Sequence, residues 1–140
     1  MQADRRMAEK TLPLHVIFDL DSERLTARNF LRELAERNWP VAVTGASKRE
    51  DLDPVQRETV ITRKMTEAKI ALVLVTPMSG ISRNVNEEVK FAKRANLRVL
   101  GLLIKGATAH TNLPDGLHRS QVVGWDWGAL KKELFRNDRL

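Results

Sequence analysis

A chain of 140 residues, 42% hydrophobic and 30% charged, has the size of one domain and the composition of a folded chain, not a disordered one. It contains no cysteine, which excludes disulfides, thiolate zinc sites and cysteine nucleophiles together and fits a reducing compartment. No apolar run approaches the ~20 residues that span a bilayer, and the opening MQADRRMAEK has no apolar stretch to act as a signal, so a cytoplasmic protein without a membrane segment is expected. The net charge of +6 would suit a nucleic-acid partner, but the basic residues run along the whole chain interleaved with Glu and Asp, with no basic stripe carrying aromatics. That distribution argues against nucleic-acid binding.

Apolar β-rich runs alternate with helical patterns, the signature of βαβ units and a mainly parallel sheet. Residues 14–18 (LHVIF) form the first predicted strand. Ser22 is placed to cap a helix with Ala27, Phe30, Leu31, Leu34 and Ala35 at helical spacing, ending near Asn38 before the breaker Trp39-Pro40. A second strand is predicted at 41–44 and an exposed polar loop at 45–53. Asp53, Pro54 and Gln56 supply an N-cap, a first-turn proline and a capping-box glutamine for a helix to about Ala68. The clearest buried strand is 70–76 (IALVLVT), followed by a turn-rich loop at 77–83 and a helix to about Asn96. A fourth strand at 98–104 (RVLGLLI), a long loop at 105–119, a short fifth strand at 121–124 and a helix capped by Asp126 and ending near Phe135 complete the pattern. The expected organisation is a flexible N-terminus at 1–11, one α/β domain at 12–136 and a frayed end at 137–140: a flavodoxin-like three-layer sandwich around a parallel sheet of about five strands.

In such a sheet ligands bind beyond the carboxyl ends of the strands, where the strand order reverses. This selects Asp19, Leu20 and Asp21 after the first strand, residues 45–48 with Ser47 after the second, and residues 76–84 with Ser79, Ser82 and Asn84 after the third, together with the opening of the helix that follows. Trp125 and Trp127 border the same edge or, on the simpler reading, anchor the last helix. Asp19 and Asp21 form a carboxylate pair of the type that holds magnesium. A receiver domain resembles this opening, but it needs an acidic residue where Thr76 stands and a lysine ending the fifth strand. A haloacid-dehalogenase phosphatase also resembles it, in VIFDLDSERL and VAVTGAS, but Glu23 replaces the expected threonine and no later acidic pair completes the metal site.

The more informative carboxylate is Glu88. It lies three residues after Val85 and four before Ala92, on the border of the stripe Val85, Val89, Ala92 and Asn96, whereas Glu87 projects oppositely and is placed to close a capping box with Asn84. A carboxylate on the inward side of a first helical turn at the ligand edge reads as an active-site acid or as a complement to the helix dipole, and the pattern leaves both open. His15 reads as a satisfied strand histidine, His110 and His118 lack a companion ligand set, and Ser47 lacks a nearby base. Neither a metal nor serine-hydrolase chemistry is expected.

From His15 to Leu134 the chain resembles the TIR-like domain family of bacterial Thoeris-type antiphage systems. The matching pieces are VIFDLDSE, KMTEAKIALVLVTP, SRNVNEEVKFAKRANLRVLGLLI and the closing VVGWDW. A serine-to-glutamate motif on the third helix of TIR enzymes ends in the catalytic acid followed by an apolar residue, and Ser82, Glu88 and Val89 match it in place. The aromatic often found two places after that serine is Asn84 here, and the tyrosine of some members near the first strand is replaced by Phe18 and Asp19. The resemblance implies cleavage of the nicotinamide–ribose bond of NAD⁺, a substrate and not a bound cofactor, with Glu88 as the acid and Phe18, Asp19, Asp21, Ser47, Ser79, Ser82 and Asn84 near the nucleotide. It further implies an ADP-ribose-type product, cyclic or not, in antiphage or stress signalling. The partners it implies are homo-oligomers or TIR–TIR assemblies, together with a separate effector protein. A non-catalytic assembly module and a nucleoside deoxyribosyltransferase-like enzyme are the alternatives, although RNVNE lacks the glycine-rich approach expected of the latter.

Overall fold

The structure, a computed structural model, describes residues 11–104 and 106–136. The tail expected at 1–11, apart from Thr11, and the fraying expected at 137–140 lie outside the described residues. Strands β1 (Leu12–Ile17), β2 (Val41–Ala46), β3 (Ile70–Val75), β4 (Arg98–Leu103) and β5 (Val122–Val123) are joined by α1 (Arg24–Glu36), α2 (Pro54–Met65) and α3 (Arg83–Arg94), with α4 (Trp127–Leu134) closing the chain. The sheet order is β2-β1-β3-β4-β5 and every pair is parallel. The chain leaves β1 on one side for β2 and crosses back to β3 on the other. The strand order therefore reverses between β1 and β3.

Strand periodicity sorts the core into two layers. Leu14, Val16, Leu72 and Leu74 face Phe30 and Leu34 of α1 and Leu130 and Leu134 of α4. Ile17, Ala71, Val73 and Val75 face Met65 of α2 and Val85, Val89 and Ala92 of α3. All six residues of β3 are buried, as a central strand covered on both faces requires. Trp127 stacks on Phe30 at 5.4 Å and meets Trp39 edge-on at 5.8 Å, so it anchors the last helix, whereas Trp125 is half exposed.

Several boundaries differ from expectation, each for a local reason. The first strand starts two residues earlier and stops at Ile17, since the Phe18 amide and carbonyl are taken by side chains. The second runs on to Ala46, so Gly45 and Ala46 belong to the sheet and not to an exposed loop. Ser22 does not cap α1; its hydroxyl donates to Asp19, and the N-cap is Glu23, without a side-chain bond. Asn38 and Asn96 take left-handed φ values of 55° and 65°, a conformation asparagine tolerates, and stop the chain just beyond α1 and α3. The Asp53 side chain accepts from the Gln56 amide at 2.9 Å with Pro54 in the first turn, as the sequence pattern predicts.

Removing this cap with Asp53→Ala is expected to cost about 1 kcal/mol in chemical denaturation, while Asp53→Asn retains most of it.

Candidate active site

Glu88 sits one turn into α3, at the carboxyl edge beside the point where strand order reverses, and is 2% exposed. Its carboxylate is held at both ends: Ser47 donates to Oε1 at 2.8 Å and Asn84 Nδ2 to Oε2 at 2.8 Å. Each donor is itself fixed by the backbone just beyond β1. The Phe18 amide donates to Ser47 Oγ at 3.0 Å, and Asn84 donates to the Phe18 carbonyl at 2.9 Å and accepts from the Leu20 amide at 3.0 Å. Ser82 caps α3 by accepting from the Val85 amide, and its hydroxyl lies 2.9 Å from Asp19 Oδ1 and 3.1 Å from Asn84 Oδ1. Side chains following β1, β2 and β3 thus converge on one buried acid.

The sequence-predicted residues divide accordingly. Ser47, Ser82, Asn84 and Asp19 join the network around Glu88, and Phe18 contributes through its backbone. Ser79 does not: its hydroxyl accepts from the Thr76 amide and donates to the Thr76 carbonyl, so it closes the turn after β3. Asp21 points outward, its side chain 85% exposed and paired with Arg49, and it makes no joint site with buried Asp19. Among the described residues no cluster of His, Asp and Glu could hold a metal ion. The helix cap is Ser82, not Asn84, and Glu87 pairs with Arg57 of α2 at 3.0 Å instead of closing a capping box. His15 is buried with neither ring nitrogen hydrogen-bonded, so it is not the satisfied histidine expected.

Burial pushes the Glu88 carboxyl from an ordinary 4.5 up to about 7, against the Asn84 and Ser47 hydrogen bonds, which favour the charged form. A cavity of about 340 Å³ opens beside it, on whose wall Lys48, Arg49, Arg57 and Arg83 stand against Asp21, Glu50 and Glu87, with Arg49 paired to Asp21 and Arg57 to Glu87. Arg57 escaped the sequence reading because an arginine one turn into a polar helix looks like any solvated side chain. Its pairing with Glu87 depends on how α2 and α3 meet. An acid that titrates near neutrality at the edge of a cavity suits stabilisation of a developing positive charge on a ligand.

No family model and no curated protein matches the sequence. Among solved structures, the chain is similar to the TIR domains in the structure of the activated Roq1 resistosome directly recognizing the pathogen effector XopQ, with a TM-score of 0.50 and 14% identity. The match covers 72% of this chain and 61% of that one. Likeness at this identity is one of fold, and the protein has a TIR-like α/β fold. No helix among the described residues is long and apolar enough to cross a membrane.

Because the folded-state pKa of Glu88 is raised, its native form holds a proton that the unfolded chain releases between pH 4.5 and about 7. The stability it contributes is full below 4.5 and lost as pH rises through 7. Glu88→Gln is expected to gain about 3 kcal/mol relative to wild type between those limits, at 1.36 kcal/mol per pKa unit. Denaturation curves of the two proteins at pH 4.5 and pH 8 check it, and a constant difference would refute the raised pKa.

Proposed function

We propose that this protein is a TIR-like NAD⁺ glycohydrolase or cyclase with Glu88 as the acidic group at the reacting ribose. The observation that carries the reading is the placement of that carboxylate: buried, perturbed toward neutrality, at the carboxyl edge of a TIR-like sheet and on the wall of a cavity. The nicotinamide of NAD⁺ is already cationic, so the C1′–N bond breaks with its electron pair leaving on a neutral base and needs little acid assistance. Positive charge then develops at C1′, and ionised Glu88 stabilises it while accepting hydrogen bonds from the ribose hydroxyls. Water attacks C1′ and loses a proton to give ADP-ribose, or a ring nitrogen of the substrate's own adenine attacks to give a cyclic product. Ser47 and Asn84 act as positioning residues, since they hold the carboxylate and the ribose takes over one of their hydrogen bonds. Of the basic residues on that cavity, Lys48 and Arg83 suit the pyrophosphate, while Arg57 is paired with Glu87. An antiphage or stress-signalling role through a separate effector is supported by the sequence resemblance alone.

One observation favours the non-catalytic assembly module instead: both Glu88 oxygens are engaged and the side chain is almost wholly enclosed.

Purified protein at high concentration is expected to release nicotinamide from NAD⁺, and Glu88→Gln to lower the rate by roughly 10²–10³-fold. Activity should rise with pH through about 7 as Glu88 ionises. Ser47→Ala, which removes a donor to the charged form, should move that limb to higher pH. Absence of nicotinamide from wild type, even with phage-infected lysate added, would sink the enzymatic reading and leave the assembly module.

A further inference from the structure

The two edges of the sheet differ. β5 is two residues long and offers little to pair with, whereas β2 presents six residues, VAVTGA, with no charge and no proline among them. Ala42 and Val43 are exposed there, and no described strand lies on the outer side. An open edge of this length is a template for another strand unless charge or a covering element blocks it. The side chains that flank it decide which strand it can take.

One flank is α1. Val43 stands level with Leu14, just before the β1–β2 register slips and sets Gly45 opposite His15, so Val43 points to the layer of α1 and not to that of α3 and Glu88. Arg24, Arg28 and Arg32 follow one another at four-residue spacing and form one exposed ridge on this helix. A cavity of about 510 Å³ lies between its first two turns and the end of β2, with Arg24, Arg28, Lys48 and Arg49 on its wall and no carboxylate. Lys48 and Arg49 also border the cavity beside Glu88. Arg28 and Arg32 do not, and neither makes a hydrogen bond or ion pair among the described residues.

The helix gains nothing from this arrangement. Its arginines begin in the first turn and its acids, Glu33 and Glu36, stand in the last, the reverse of what the helix dipole favours, and like charges four residues apart repel. Unpaired positive charge therefore lies beside an open, uncharged strand. A second copy paired through β2 would set one cationic rim against another, and a nucleic acid has no peptide groups to pair with the strand. We infer that the β2 edge is a docking site for an extended acidic segment of a partner protein, which adds to the sheet as a further strand and carries carboxylates at alternate positions. Spacing agrees: four residues of helix rise ~6 Å and two residues of strand ~6.6–6.8 Å, so alternate carboxylates keep step with arginines one turn apart. Main-chain hydrogen bonds hold the segment, while glutamates lay their methylenes over Val43 and reach Arg28 and Arg32. The inference is independent of NAD⁺ cleavage, because its readout is binding.

The test is titration of the ¹⁵N-labelled full chain with the end-blocked peptide TETETET, read by amide resonances, beside a lysine version, TKTKTKT, and a TETETET peptide N-methylated at every residue. Shifts with TETETET should centre on residues 41–46 and on Arg28 and Arg32, and the two control peptides should leave these in place. Arg28→Glu combined with Arg32→Glu, both at exposed positions, should weaken the peptide ~10-fold or more with the amide spectrum otherwise intact. Absence of binding up to millimolar peptide would overturn the site, as would binding that survives N-methylation or is indifferent to the double charge reversal. Displacement of the peptide from β2 by an oligouridylate would assign the surface to nucleic acid instead, and a dimer of the free chain through β2 in sedimentation would assign it to a second copy; either result also overturns the inference.

Discussion

One carboxylate has to be held inside an apolar sheet edge, and much of the local structure around the carboxyl ends of β1, β2 and β3 follows from that constraint. An enclosed acid is tolerable only when its oxygens are satisfied. Ser47 and Asn84 satisfy Glu88, and each is secured by the Phe18 backbone. The end of β1 is therefore a hub. The amide and carbonyl of Phe18, the first residue beyond the strand, bind the two side chains that bind the acid, which explains why regular pairing stops at Ile17.

Two ionisable groups on this face of the sheet are displaced in opposite directions by the same cause. Burial raises Glu88 to about 7, and burial with the charge of Lys64 lowers His15 to about 4. Between pH 4.5 and 6.5 the unfolded chain protonates His15 more readily than the native state does, while the native state holds the proton on Glu88. Their contributions to the pH dependence of stability therefore have opposite signs over that interval and largely cancel. Near neutrality the arrangement keeps the imidazole uncharged and the carboxyl close to half ionised.

The order of elements was legible because β3 is an unbroken apolar run, because β4 is one after Arg98, and because Asp53-Pro54, Asp126 and Trp39-Pro40 mark helix boundaries chemically. Glu88 was legible as bordering the buried stripe of α3, but whether it lay inside depended on the partners brought by β1 and β2. Ser22, Ser79, Ser82 and Asn84 show the limit most clearly. All four are small polar residues at helix or turn starts, and local sequence gives each the same repertoire of caps and turns. Ser82 caps α3, Ser79 closes its own turn, Ser22 turns to Asp19, and Asn84 reaches across to Phe18 and Glu88. Contacts between residues more than sixty positions apart decide the last of these. Likewise, His15 reads as ordinary until the register slip that sets Gly45 against it is known.

The element that closes the site is also the one least fixed by the core. β2 is an edge strand, with Ala42 and Val43 exposed, and α2 buries only Met65 fully, whereas α3 buries five residues. The outer turns of α2 are tied to α3 by ion pairs, Arg57 to Glu87 and Glu58 to Arg94, the second of them solvent-exposed. Exposed pairs of this kind hold weakly, ~0–1 kcal/mol each. Local opening draws on such lightly buried segments first. Ser47, which covers one oxygen of Glu88, begins the loop joining these two elements. One oxygen of Glu88 thus owes its hydrogen bond to a loop held between a partly exposed strand and a lightly anchored helix, whereas the other is held from within α3 by Asn84.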